Sequence, residues 1–241
     1  MKYFIPLFSL ILISSCASID TSRIAPGYVE AFKNIQQFIT GVENEIKPEV
    51  IKNIPYASML VKIGNGPTAL MILESKNNED YTWVSADGVY LVINNGKIIK
   101  TGGLNNNLKE RLSASNTWHE AIDPKKEFVS YYTFSMPTLN NLKVTYTHSL
   151  KEIDNIELLF GSKRLQLIEE EISSNKVGWF RTNKYWVDDS NFVWKSVQNI
   201  SPRLPEIYFE IVIEALKANG MALAFTTVPS NWRRVGHIIS D

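Results

Sequence analysis

The 241-residue sequence holds one cysteine, Cys16. An intrachain disulfide is therefore excluded, and so is any site built from paired thiolates. Neither sign of charge is in excess, with 25 Lys and Arg against 25 Asp and Glu. The basic surplus by which proteins hold nucleic acid is missing, and no nucleic-acid partner is expected. Histidine is scarce. His119, His148 and His237 are far apart, and none has a partner at metal-ligand spacing; no metal and no cofactor are expected. The sequence has no G-x-x-x-x-G-K-[ST] loop, no G-x-G-x-x-G opening a helix and no G-x-S-x-G elbow, the patterns that cradle phosphates or present a nucleophilic serine.

What is present begins at the N-terminus. Lys2 precedes an apolar stretch of eleven residues, Tyr3–Ile13. A membrane-spanning helix needs about 20, so this stretch has the length of a signal-peptide core. Ile13-Ser14-Ser15-Cys16 follows, and this order of aliphatic, small, small and Cys resembles a bacterial lipobox. The resemblance implies cleavage before Cys16, with acyl chains such as palmitate carried on that residue. Acylation also accounts for a lone thiol in an oxidising compartment. Residues 1–15 are then a signal peptide that removes one Lys and no acid, leaving 24 basic and 25 acidic residues and a net charge of −1. Each buried acyl CH₂ contributes about 0.8 kcal/mol to anchoring. Ala17 stands where an Asp, in enterobacterial lipoproteins, goes with inner-membrane retention, so the analogy favours the periplasmic face of the outer membrane.

Residues 16–27 are small and polar and end in Pro-Gly, as a lipidated tether would. Residues 28–241 are read as a single β-rich barrel-like domain. It opens with Val29, Phe32, Ile35, Ile39, Val42 and Ile46, spaced as one face of an amphipathic helix that Pro48 ends. The polar face of this helix is not basic, which favours packing on a sheet over lying on a membrane. From residue 56 the period changes to two, in short runs rich in β-branched and aromatic residues and closed by Gly, Asn or Asp. In 85–104, Asp87-Gly88 and Asn95-Gly96 read as tight turns between strands. Gly102-Gly103 is expected to end a strand before one or two helical turns over 105–113. No low-complexity tract and no repeat of 20–50 residues is evident. The expected fold is mainly β: an antiparallel barrel-like or sandwich sheet of about ten strands with one N-terminal amphipathic helix.

Carboxylates offer one route to catalysis, since a glycosidase needs two across a cleft. Adjacent residues on a strand point to opposite faces, so neither Asp188-Asp189 nor Glu169-Glu170-Glu171 is a ready-made pair. The first reads as a turn and the second as a strand with a solvated edge. No catalytic residue and no enzyme activity are expected. Binding chemistry is better represented by "GWFRTNKYWVDDSNFVW". Aromatic rings cover the C–H faces of sugars, and neighbouring polar groups bond the hydroxyls. The candidate glycan-binding residues are Trp179, Arg181, Tyr185, Trp186 and Trp194; for each, a place in the core is the competing assignment.

Four features in order resemble the YjbF/GfcB lipoproteins of group 4 capsule and exopolysaccharide clusters: Cys16, "IPYASMLVKIGNGPTALMIL", "WVSADGVYLVINNGKIIKTGGLNNNL" and "YWVDDSNFVWKSVQNISPRLPEIYFEIV". The resemblance implies a β-rich barrel-like lipoprotein. It further implies a non-catalytic part in secreting or assembling surface polysaccharide, beside envelope export proteins; polysaccharide itself is a candidate partner through the aromatic residues above. Two other functions stay open from the residues alone: a carrier of lipid or lipoprotein with an apolar barrel cavity, and a carboxylate-dependent polysaccharide-modifying enzyme.

Overall fold

A computed structural model describes residues 56–113 and 126–212, together with Pro48, Ile51 and Ile54. Cys16, the helix expected over 28–46, His119 and His237 lie outside the described residues. Among the described residues twelve strands follow one another: β1 (Ser58–Ile63), β2 (Ala69–Asn77), β3 (Asp80–Ser85), β4 (Tyr90–Asn94), β5 (Lys97–Gly102), β6 (Leu108–Ser113), β7 (Phe128–Phe134), β8 (Leu139–Leu158), β9 (Gly161–Ser174), β10 (Trp179–Val187), β11 (Val193–Gln198) and β12 (Ile207–Ile211).

They form one sheet in the order β5-β4-β3-β2-β1-β12-β11-β10-β9-β8-β7-β6, and the neighbours in it pair antiparallel. The order brings the chain round on itself. Its two edges, β5 and β6, are consecutive in sequence, so a short link joins the ends of a twelve-stranded sheet. A sheet this wide curls, and here it curls until its edges meet. All twelve strands contribute to one buried core, from Met59 and Val61 through Trp83, Ile98, Leu108, Tyr132, Tyr146, Ile172 and Tyr185 to Phe209. Alternation decides the rest. In β10, Trp179, Asn183, Tyr185 and Val187 are buried, while Phe180, Thr182 and Lys184 are exposed. A smaller cluster of Ile51, Ile54, Leu60, Leu70 and Val212 covers the outer side of β1 and β2.

The turns of 85–104 form as expected. Asn95 and Gly96 both have positive φ, 47° and 76°, the combination a two-residue hairpin requires. Gly88 takes φ 81°, and its N–H donates to the Ser85 carbonyl at 3.1 Å. Gly96 is also a point of close approach, because a Cβ there would lie 2.2 Å from Val193 Cγ2.

Two expectations are corrected. Residues 108–113 are a strand, not helical turns. The register shifts between Leu108 and Glu110, so Leu108 and Arg111 are both buried three residues apart. This bulge imitates helical spacing. Glu169–Glu171 does lie on a strand, but β9 is no edge: it runs between β8 and β10. Glu170 points inward with no exposed surface.

Candidate functional site

The aromatic residues of β10 and β11 divide between the two faces of the sheet. Trp179 is buried edge-on against Tyr132, with ring centroids 5.9 Å apart. Tyr185 is buried, and its hydroxyl donates to Glu170 Oε2 at 3.1 Å. Trp194 is buried under Lys163, whose Nζ sits 4.1 Å from the ring centre. Trp186 is half-buried on the opposite face, with Lys195 Nζ at 5.4 Å. Arg181 is exposed, and its Nη1 donates to the Phe180 carbonyl at 2.8 Å. The five candidates therefore do not converge on one surface. Phe180, unselected by the sequence reading, is 56% exposed. Strand alternation would have found it, because the residue next to a buried Trp179 faces outward.

Around Phe180 lies a shallow outer groove of about 430 Å³. Pairing across the strands sets its rows. Phe180 stands opposite Ser173, which stands opposite Thr145; Thr182 stands opposite Glu171, which stands opposite Thr147. Thr145 Oγ1 and Ser173 Oγ share a hydrogen bond of 2.7 Å. Arg181 and Glu127 complete the lining.

A second constellation is inside the barrel. Glu170 on β9 receives Arg111 Nη2 of β6 at 2.8 Å and Lys97 Nζ of β5 at 3.1 Å. His148 Nε2 of β8 is 3.5 Å from the same carboxylate and 3.2 Å from Lys97 Nζ. Burial alone would raise the pKa of Glu170, but Lys97 and Arg111 overcome it and hold the carboxyl well below its ordinary range. Burial pushes Lys97 down to about 8, against an opposing pull from Glu170. Burial also lowers His148, which favours the neutral ring, and raises Tyr185, with Glu170 adding to the effect. Two cations thus face one carboxylate. Tyrosine rings take up part of the excess: Arg111 Cζ is 5.2 Å from the Tyr132 ring centre, and Lys97 Nζ is 4.9 Å from that of Tyr146.

This cluster closes the barrel. No backbone ladder joins β5 to β6 in the sheet order, and side chains take its place. Gln198 Oε1 accepts from Ile98 N–H at 3.0 Å, and Gln198 Nε2 donates to the Gly96 carbonyl at 2.8 Å. Across the link, Leu108 N–H donates to Thr101 Oγ1 at 3.0 Å. Glu170 then binds one cation from each edge strand.

Asp188 organises a turn. Its Oδ1 accepts from Ser190 N–H, Ser190 Oγ–H and Phe192 N–H at 2.9, 2.6 and 3.0 Å, and its Oδ2 accepts from Trp194 Nε1–H at 2.8 Å. Burial opposes ionisation here, yet the bonds from Ser190, Trp194 and Phe192 win and lower the pKa. A general acid needs the opposite shift. Among the described residues no group of three or more His, Cys, Asp or Glu could hold a metal ion, and no helix is long and apolar enough to cross a membrane.

The family described as "Group 4 capsule polysaccharide lipoprotein gfcB, YjbF" matches residues 32–212. The chain belongs to this family. It is 23% identical over 181 residues to the uncharacterized lipoprotein YjbF of Escherichia coli K12, covering 72% of this chain and 81% of that one. It is 24% identical over 194 residues to the uncharacterized lipoprotein GfcB of the same organism, covering 76% and 84%. The crystal structure of the hypothetical lipoprotein YmcC from E. coli K12 superposes with a TM-score of 0.64 at 20% identity, over 76% of this chain and 94% of that one. That likeness shows the shared fold. As a member of a capsule-polysaccharide lipoprotein family, the chain is linked to the cell envelope and to capsule; these relatives carry lipoprotein names, none of them enzymatic.

Proposed function

We propose that this lipoprotein assists the secretion or assembly of capsular or extracellular polysaccharide without catalysing a reaction on it. Acyl chains on Cys16 hold it at the periplasmic face of the outer membrane, where it works beside envelope polysaccharide-export proteins. The observation that carries this reading is the family match, which spans the whole described barrel, from residue 32 to residue 212. The lone cysteine at the end of Ile13-Ser14-Ser15-Cys16 supports the anchor. The binding mode fits a surface role, because large side chains from every strand occupy the barrel interior.

The test is deletion of the gene in its own strain, with polysaccharide measured at the cell surface and in the periplasm. The expected result is less polysaccharide outside the cell, restored by the wild-type gene in trans. Unchanged amount, chain length and location would refute the proposal.

A further inference from the structure

We propose that the outer groove around Phe180 binds a saccharide chain that is neutral or amine-bearing, not acidic. This inference rests on the polysaccharide reading and gives it a site and a ligand class. A sugar ring presents an apolar C–H face and a rim of hydroxyls. The groove supplies both partners: the exposed Phe180 ring as a platform, and beside it Thr145, Thr147, Ser173 and Thr182 on neighbouring strands.

The hydroxyls sit on paired strands, not on loops, and strands hold a binding group more firmly. Three of them belong to threonine, whose branched Cβ restricts χ1. The bond between Thr145 Oγ1 and Ser173 Oγ further fixes the row next to Phe180. Strands lie about 4.8 Å apart, so the groove across β8, β9 and β10 spans about 10 Å and suits a short run of rings. Charge selects among glycans. The lining holds Glu127 and Glu171 against Arg181 alone, a local excess of one negative charge. A polyanionic chain is repelled there; a neutral one is accepted, and an amine gains a carboxylate partner.

The experiment titrates the full-chain protein in detergent micelles with cellotetraose, a glucosamine tetramer and a galacturonate tetramer. Methyl NMR signals of Thr145, Thr147 and Thr182 are followed. The expected result is a saturable shift of these three methyls with the neutral or the amine-bearing tetramer, and none with the acidic one. Phe180→Ala should keep the wild-type melting temperature and weaken binding about tenfold or more. Silence of the three methyls with the neutral and amine-bearing tetramers overturns the proposal. So does stronger binding of the acidic tetramer, or undiminished binding by Phe180→Ala. A deletion strain that loses surface polysaccharide while these methyls stay silent would refute the groove alone; a strain with unchanged polysaccharide would refute the functional reading whatever the methyls do.

Discussion

Arg111 on β6 donates to Glu170 on β9 at 2.8 Å across three strand positions, with both side chains buried. The carboxylate also holds Lys97 of β5, so one side chain ties both free edges of the sheet. Replacing it by Gln leaves two buried cations without a counter-charge. We expect Glu170→Gln to lose about 3–5 kcal/mol of stability, measured by urea unfolding at pH 7. Glu170→Leu combined with Lys97→Met and Arg111→Leu should recover most of that loss, since an apolar set of similar volume replaces a buried ion cluster at little cost. A loss below about 0.5 kcal/mol for Glu170→Gln would show that the barrel does not depend on this tie.

The same cluster gives a pH profile whose sign can be worked out. Lys97 has a folded pKa of about 8 against an ordinary 10.5. Between these values the unfolded chain holds more protons, so stability rises with pH, by at most about 3 kcal/mol. Above pH 10 the sign reverses. Tyr132, Tyr185 and Tyr208 are all raised above their ordinary 10.0, chiefly by burial, and ionise first in the unfolded chain. On the acid side, His148 is lowered from 6.5 and Glu170 held below 4.5. Stability therefore falls as pH drops below 6.5 and again through the carboxylate range. Unfolding midpoints from pH 3 to 11 check this, and Lys97→Met should remove the rise above pH 8.

Gly96 and Gly88 form a matched pair. Both have positive φ, 76° and 81°, but an added Cβ meets Val193 at Gly96 and open space at Gly88. Gly88→Ala should cost about 1–2 kcal/mol for the backbone alone. Gly96→Ala adds overpacking of about 1–3 kcal/mol. Equal losses by thermal unfolding would mean that the turn does not seat against β11.

Asp188→Ala removes the acceptor of four hydrogen bonds. We expect a loss of about 1–3 kcal/mol and a shift in Trp194 emission, while exposed Asp189→Asn stays within about 0.5 kcal/mol of wild type. Polysaccharide output should follow the stability of these variants. Collapse of output in a fully stable Asp188→Asn protein would instead point to carboxylate chemistry.

Much of this was legible in the sequence because period-two alternation and Asn-Gly turns are local signals. Asn95-Gly96 became the hairpin it announced, and the strands on either side followed. What stayed hidden depends on partners far along the chain. Glu170 resembled its neighbours, half-buried Glu169 and exposed Glu171, and only the return of β5 and β6 to meet β9 makes it the hub. The bulge at Leu108 made a strand look helical. Trp179, Tyr185 and Trp194 carried a plausible binding chemistry, but strand parity placed them inward and left Phe180 outside.

The claim that anchoring serves polysaccharide handling is tested most directly in the deletion strain complemented with Cys16→Ser. Surface polysaccharide is measured beside the membrane fraction of the protein. The predicted result is a protein released from the outer membrane, or held as an uncleaved precursor, with surface polysaccharide as low as in the uncomplemented strain. Full restoration of surface polysaccharide by an unanchored Cys16→Ser protein would contradict it.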